Sequence, residues 1–446
     1  MRINLPDEVQ YIIEALEGNG YEAYAVGGCV RDSLLEKEPK DWDICTSAQP
    51  EQTMLCFAGQ HIIETGLQHG TVTLMLNHEP FEITTYRVDG KYTDNRRPDR
   101  VKFVNVLKRD LARRDFTINA MAYNPRTGIV DYYGGQRDLS EGKIKCVGNA
   151  DKRFREDALR IMRALRFASV LGFSIESDTA EAILKSKALL RNIAAERLAA
   201  ELNKLIMGDK VCGLLSAHLP VLIEIIPELG QAVGFNQSNP YHSYDVLTHI
   251  LASVDAAPKE LILRLTMLLH DIAKPKCYTQ SEDGIGHFYG HPQKSSDMAK
   301  EILLRLKYDH DTVQAVTQLV LYHDADIEPR RKHIKRWLNK IGEQRLRQLL
   351  EIKQADTMAQ SVEFRQARLE RLGAVLPVLE EVLEQQQCFS LRDLAVNGRD
   401  LIHIGVSQGT KIGILLNQLL DMVIDEEVPN DKAALLELAS QLNRRL

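Results

Sequence analysis

The sequence predicts an α+β fold, with a mixed-sheet head at the N-terminal end and an all-helical remainder, on three observations. Short β-like runs alternate with glycine-rich turns and a few helices over the first 150 residues. From about Arg155 onward apolar residues recur at three- and four-residue spacing, as in ALRIMRALRFASVL and ERLAAELNKLIM, with few strand signals. At 446 residues the chain is too long for one core and asks for roughly two to four.

Taken in order, the strand candidates are Tyr24 to Val26, Trp42 to Thr46, Thr71 to Leu76, Glu82 to Tyr86 and Val101 to Val104, each rich in β-branched or aromatic residues. The stretch GFNQSNPYHS, dense in Gly, Asn, Ser and Pro, is the clearest linker. The expected division is a head over 1–150, a helical neck over 151–238, a body over 239–360 and a helical tail over 361–446. No internal repeat and no low-complexity segment interrupts it.

With 44% hydrophobic and 26% charged residues the composition is that of a globular chain, which excludes disordered and fibrous classes. No apolar run reaches the ~18–20 residues of a membrane span, and MRINLPDEVQ has neither a basic nor an apolar leader region, so a cytoplasmic enzyme without a membrane partner is expected. The seven cysteines are odd in number, scattered and never in CxxC spacing, which points to reduced thiols. The net charge of −6 does not advertise a nucleic-acid binder, but local clusters do: Arg96 to Arg114, Lys152 to Arg166, and Arg330, Arg331, Lys332, Lys335 and Arg336. For the last cluster a phosphate-facing patch and a solvated helix face stand level.

The most informative segment is AVGGCVRDSLLEKEPKDWDICT. A strand-like run ends in Gly27-Gly28, a helix follows, and Asp41-Trp42-Asp43 opens another strand, whose alternation puts Asp41 and Asp43 on one face. Two adjacent carboxylates repel unless a cation sits between them, so the pair is a seat for a hard divalent ion such as Mg²⁺. Glu82, in PFEITTY, would complete the cradle from a neighbouring strand. Gly28 and its neighbour let backbone approach a triphosphate, and Arg31 would neutralise it. A DxD by itself is weak evidence, because surface acids at i and i+2 are common.

Context changes its weight. GGCVRDSLLEKEPKDWDI, then RRDFTINAMAYN, then EDALRIMRALRF, in that order over about the first 210 residues, resembles the bacterial CCA-adding enzymes and their poly(A) polymerase relatives. The resemblance implies a polymerase-β-like nucleotidyltransferase head and makes Asp41 and Asp43 the metal-binding catalytic acids, with Glu82 a third. It implies template-independent addition of C and A to the 3′ end of tRNA, with tRNA, CTP and ATP as partners. Arg114 and Asp115 look like the family's motif for the ribose 2′-hydroxyl, with Asn119 beside them. The alternative for RRDF is a capped helix start with a structural Asn.

Asp157 and Arg160, three apart in REDALRIMR, would share one helix face, where an acceptor beside a donor matches the edge offered by C or A and not by U or G. Leaving a buried polar group unpaired costs ~1–3 kcal/mol, which is enough to select. The bland reading is an i, i+3 ion pair worth ~0.2–0.5 kcal/mol. Arg163 and Arg166 extend the nucleotide-binding set along the same helix. DYYGGQRDL resembles an element connecting head and neck, and AAERLAAEL one that steadies the nucleotide-selecting helix. Arg96, Arg97 and Asp99, in an aperiodic loop, loosely match the family's switch from C to A addition.

Seven of the 13 histidines fall between Tyr241 and His323. His249, His270-Asp271, His291, His323 and Asp356 mix imidazole with carboxylate, a set suited to borderline and hard divalent metals. Their order and flanks resemble the HD phosphohydrolase superfamily, which implies a body binding a metal such as Ni²⁺ or Mn²⁺ and hydrolysing phosphate esters, among them 2′,3′-cyclic ends. NGRDLIHIGVSQGTKIGILL resembles the family's tRNA-docking tail. The competing readings are poly(A) polymerase, CC-only or A-only addition, an HD hydrolase with a nucleotide-sensing head, and a non-catalytic RNA-binding protein. Oligomeric state is not encoded in any of these signals.

Overall fold

The computed structural model describes residues 2–90 and 101–444. Arg96, Arg97 and Asp99 of the expected switch loop lie outside the described residues. The chain divides into two compact units, one of Met1–Gly230 with Arg305–Lys307 and one of Gln231–Leu304 with Tyr308–Leu446.

The first unit opens with α1 (Asp7–Gly18), whose buried Val9, Ile12, Ile13 and Leu16 at three- and four-residue spacing pack on the sheet. Strands β1 (Ala23–Val26), β2 (Asp43–Thr46), β3 (His61–Ile63), β4 (Thr71–Leu76) and β5 (Glu79–Thr85) follow, with α2 (Gly28–Leu34) and α3 (Pro50–Cys56) between them. Next come β6 (Arg87–Asp89), β7 (Val101–Phe103), α4 (Leu107–Ala112), β8 (Met121–Asn124), β9 (Gly128–Asp131) and α5 (Gly135–Ser140). Seven strands form one sheet in the order β3-β4-β5-β2-β1-β8-β9, while β6 and β7 pair separately. The sheet is mixed, as expected: β2 runs parallel to β5 and the other neighbours are antiparallel.

Side-chain alternation positions the site. Cys45 is buried with Val26, Tyr86, Leu107 and Leu111 under α4, and Asp43, two residues back, takes the same face at the strand's exposed end. Strand β2 begins at Asp43, so Asp41 stands just before it rather than within it. Strands β3, β6, β8 and β9 were not among the sequence candidates. Their runs are three or four residues long, too short for alternation to register.

Beyond the head come α6 (Ala150–Glu156), α7 (Leu159–Leu171), α8 (Ser177–Ser186) and α9 (Ala195–Ile206). The helical expectation holds except for Ser174–Ile175, which pairs with Lys143–Ile144 of the head, and the pair Thr279–Gln280 with Gly286–His287. The second unit is built on helices Val246–Ala256, Leu261–Leu269, His291–Arg305, His310–Tyr322, Arg331–Met358 and Val362–Gly373, with a further cluster around Leu401, Leu415 and Leu435. All seven cysteines are free. No helix among the described residues is long and apolar enough to cross a membrane.

Candidate active site and metal centre

In the head, Asp43 and Glu82 are directly paired in the parallel register of β2 and β5, so their carboxylates leave the same face. Desolvation raises the Asp43 carboxyl most, Arg114 opposes it, and Asp41 adds to the rise. Glu82 is raised by desolvation and then by Asp43 and Asp41. Glu82 thus feels the charge of Asp43 and Asp41, and Asp43 that of Asp41, a repulsion that a hard divalent cation would relieve.

The turn above them is strained for a reason. Gly27 has φ 86°, and a Cβ there would meet Arg114 Nη1 at 2.7 Å. Only glycine lets the guanidinium lie against this backbone. Arg114 Nη2 lies 3.8 Å from Asp110 Oδ2, which leaves it facing the acid cluster on its other side. Gly28 begins α2 immediately after this turn.

Arg114 and Asp115 diverge. Asp115 is buried and turned toward α7, where Arg163 Nε donates to its Oδ2 at 2.7 Å and Asn119 Nδ2 and the Phe116 amide donate to its Oδ1 at 3.1 and 2.8 Å. Burial works to raise this carboxyl, but Arg163 and Arg160 overcome it and hold it well below the carboxylate range. Arg31, expected to neutralise a triphosphate, is instead occupied. Its Nε and Nη2 donate to Asp32 at 2.8 and 2.9 Å and its Nη1 to Asn119 Oδ1 at 2.6 Å. The sequence reading passed over Asp32, the adjacent carboxylate that claims it.

The expected Asp157–Arg160 pair is also corrected. Asp157 is extended (φ −138°, ψ 104°) between α6 and α7, so the two do not share a helix face. Its Oδ1 accepts the Leu159 amide at 3.1 Å, starting α7, and its Oδ2 is 3.5 Å from Arg197 of α9. Arg160 is buried and donates to the carbonyls of Arg113 and Arg153 at 2.8 and 3.2 Å and to Glu156 at 3.0 Å. Arg166 pairs with Glu201 of α9 at 3.3 Å. Phe167, the last residue of EDALRIMRALRF, to which the sequence reading gave no role, lies under Arg31, Arg163 and Arg166 at 5.0, 5.4 and 4.2 Å. AAERLAAEL therefore does brace α7, through Arg197 and Glu201.

In DYYGGQRDL, Asp131 accepts the amides of Tyr133, Gly135 and Gln136, and a Cβ at Gly135 would meet the Thr117 carbonyl at 2.3 Å. The turn is thus seated on the RRDFTINA segment. The basic cluster near 330 is largely spent on acids, with Arg330 on Glu328, Arg331 on Glu381, Lys335 on Glu426 and Arg336 on Asp425.

The second unit gathers all six predicted ligands. His249 comes from the helix Val246–Ala256, His270 and Asp271 end the helix Leu261–Leu269, and His291 starts the helix His291–Arg305. His323 ends the helix His310–Tyr322, and Asp356 lies in the last turn of Arg331–Met358. Asp271 sits in the middle. Its Oδ2 is 3.3 Å from the Nε2 of both His249 and His270, and its Oδ1 is 3.3 Å from His291 Nε2 and 3.4 Å from His323 Nε2. Asp356 Oδ1 joins the first group, 2.9 Å from His249. Ligand atoms in each His-His-Asp271 group lie within 4.8 Å of one another.

Tautomers agree with a metal site. Each Nδ1 faces a main-chain carbonyl (Ala359, Met267, Phe288 and Val320, at 3.3, 2.8, 2.7 and 2.7 Å), which leaves Nε2 lone pairs for the centre. Asp271 Oδ1 is buried with no hydrogen-bond partner, the orphan a cation would satisfy. Sequence reasoning missed three neighbours. Lys274 bonds Asp271 Oδ2 at 2.7 Å, Gln237 accepts from Lys274 at 3.0 Å, and His242, packed edge-on to His249, is pushed down to about 3, first by burial and then by Lys274.

The mixed sheet and acid-lined turn define a nucleotidyltransferase with a poly(A) polymerase head, and the family model of that description, "Poly A polymerase head domain", matches residues 23–145. A tRNA nucleotidyltransferase domain 2 model matches residues 279–439. The CCA-adding enzyme of Lactiplantibacillus plantarum is 35% identical over 449 residues, covering 98% of this chain and 97% of its own. That of Oceanobacillus iheyensis is 34% identical over 433 residues, covering 96% and 95%. The Bacillus stearothermophilus CCA-adding enzyme in complex with CTP superimposes with a TM-score of 0.70 at 28% identity, over 98% of this chain and 97% of that one. The chain belongs to the bacterial CCA-adding enzyme family, the tRNA nucleotidyltransferases.

Proposed function

We propose that the head holds Mg²⁺ through Asp41, Asp43 and Glu82 and joins CMP and AMP units from CTP and ATP to the 3′ end of tRNA. In each step a bond forms between the tRNA 3′-oxygen and the α-phosphorus, the α–β anhydride bond breaks, and pyrophosphate leaves. The carrying observation is the register that sets Asp43 beside Glu82, under the glycine turn where Arg114 lies. Bound magnesium supplies activation of the attacking hydroxyl and neutralisation of the departing charge. The protein's own residues supply position: Gly27 and Gly28 admit the triphosphate to the backbone, and Arg114 offers an unspent edge toward it. Asp115 holds the head to α7 through Arg163, with Asn119 of the head bonded to the same carboxylate.

Base choice is assigned to Asp157 and Arg160 with one condition. Arg160 reaches a base only by exchanging one of its carbonyl or Glu156 contacts, and the break between α6 and α7 is where such a change is cheapest. In function, residues 1–150 serve as head, 151–238 as neck, 239–360 as metal-binding body and 361–446 as the tail that docks tRNA by shape and phosphates. The enzyme is placed in the cytoplasm, with its substrates. The test is incubation with tRNA lacking its CCA end and each labelled nucleotide in turn. Incorporation of both C and A supports the reading, and A alone, on any RNA, converts it to poly(A) polymerase.

A second activity is favoured by the six convergent ligands: the body hydrolyses phosphate esters with a divalent metal such as Ni²⁺ or Mn²⁺. The assay is turnover of 2′,3′-cAMP with either ion. If none is seen, and the His270→Ala, Asp271→Ala double variant behaves identically, the activity does not exist.

A further inference from the structure

Beside the metal centre lies a pocket of about 290 Å³ whose lining includes Asp356 together with Lys353, Arg368 and Arg371. Nothing in the preceding mechanism uses it. Two of its three cations reach ligand residues, Arg368 through Gln360 and Lys353 through a main-chain oxygen. Arg368 donates to Gln360 Oε1, and Gln360 Nε2 donates at 2.9 Å to Asp356 Oδ2, whose other oxygen faces His249. On the opposite wall Lys353 Nζ donates at 2.8 Å to the main-chain oxygen of His323. Of the six ligands Asp356 lines this pocket, so an anion lying between Lys353 and Arg368 would meet the centre at that carboxylate.

Arg371 occupies the rim, paired with Asp326, and both side chains are about three-fifths exposed (61% and 62%). A surface pair of that kind exchanges partners at little cost. Asp324 and Asp326 also line the pocket, so with Asp356 the carboxylates equal the cations in number. The balance turns positive only when divalent ions neutralise the acids of the centre.

We infer that this pocket is the phosphate-binding half of the centre, taking the phosphate ester of a mononucleotide or of an RNA terminus once metal is bound. The inference rests on the metal-centre reading above. Guanidinium groups match phosphate oxygens bidentately, Lys353 adds a point charge, and the volume suits one small group rather than a stretch of polymer.

The experiment is calorimetric titration of inorganic phosphate into the full chain, metal-free and manganese-loaded, with manganese content measured in parallel. Phosphate should bind the loaded protein and bind the metal-free protein far more weakly. Arg368→Gln should weaken it about tenfold or more, since it removes a charge-assisted contact. Arg371→Gln should weaken it less and cannot act through the ligands, because it touches none of them. Retained manganese with unchanged phosphate affinity in both variants overturns the inference and spares the metal centre. Failure of the parent protein to take up manganese overturns both. Competition by 2′,3′-cAMP, compared with that by an RNA ending in a cyclic phosphate, separates the free nucleotide from the polymer end.

Discussion

Gly27 is the residue on which the head's geometry turns most sharply. Its φ of 86° disfavours any L side chain, and a methyl group would displace Arg114 from the acid cluster. Gly27→Ala should cost about 1–3 kcal/mol in chemical denaturation and raise the KM for nucleotide, because backbone strain and lost charge act together. Asp41→Ala should behave oppositely. The residue is exposed and surrounded by like charge, so nucleotide addition should vanish while the melting temperature holds or rises. A loss of folding in Asp41→Ala would refute a metal-holding role. Asp115 makes a pH prediction. Its folded-state value is depressed, so its contribution is complete above the ordinary aspartate range, near 3.9, and is lost as pH falls through and below it. Asp115→Asn should destabilise the protein by on the order of 3 kcal/mol at neutral pH and flatten the acid limb of its stability curve.

Helix α7 carries arginines at positions 160, 163 and 166, and each is consumed by a different neighbour: carbonyls ahead of it, Asp115 in the head, and Glu201 on α9. Phe167 is their common floor, shared with Arg31 from α2. Replacement by Leu keeps an apolar side chain but removes the ring face. Three cation–π contacts at ~0.5–1 kcal/mol each predict a loss of roughly 2 kcal/mol in urea unfolding, with a higher KM for CTP and ATP. Unchanged kinetics in Phe167→Leu would mean that α7 is only a strut. The α6–α7 break was invisible in REDALRIMR because its periodicity runs unbroken. Extended φ and ψ at Asp157 come from its capping of the Leu159 amide and its reach toward Arg197, a residue forty positions away.

For the whole molecule the decisive measurement is metal removal. The orphaned oxygen of Asp271 and four Nε2 atoms turned inward have no protein partner that satisfies them all, so a bound ion stabilises only the folded second unit. Chelation should lower its melting transition, and manganese at a hundredfold excess over its Kd should restore about 2.7 kcal/mol. Asp271→Asn should abolish that response while tRNA nucleotidyl transfer, a property of the head, continues. A transition indifferent to chelator and to manganese would argue that the six residues are a structural hydrogen-bond cluster.

Local patterns were enough to mark the α+β head and the helical remainder, because each depends on residue type at short spacing, whereas the catalytic acids, the Arg114–Asp115 motif and the histidine and aspartate set came from family resemblance, and only the fold brings that last set together. Which partner each side chain takes was decided by tertiary structure. Arg31 goes to Asp32 and Asn119, Arg160 to carbonyls at 113 and 153, Arg331, Lys335 and Arg336 to acids of the tail, and Asp271 to the midpoint of four imidazoles. Charge is long-ranged and indifferent to sequence separation, so one dimension can count a cation but only the folded chain shows what neutralises it.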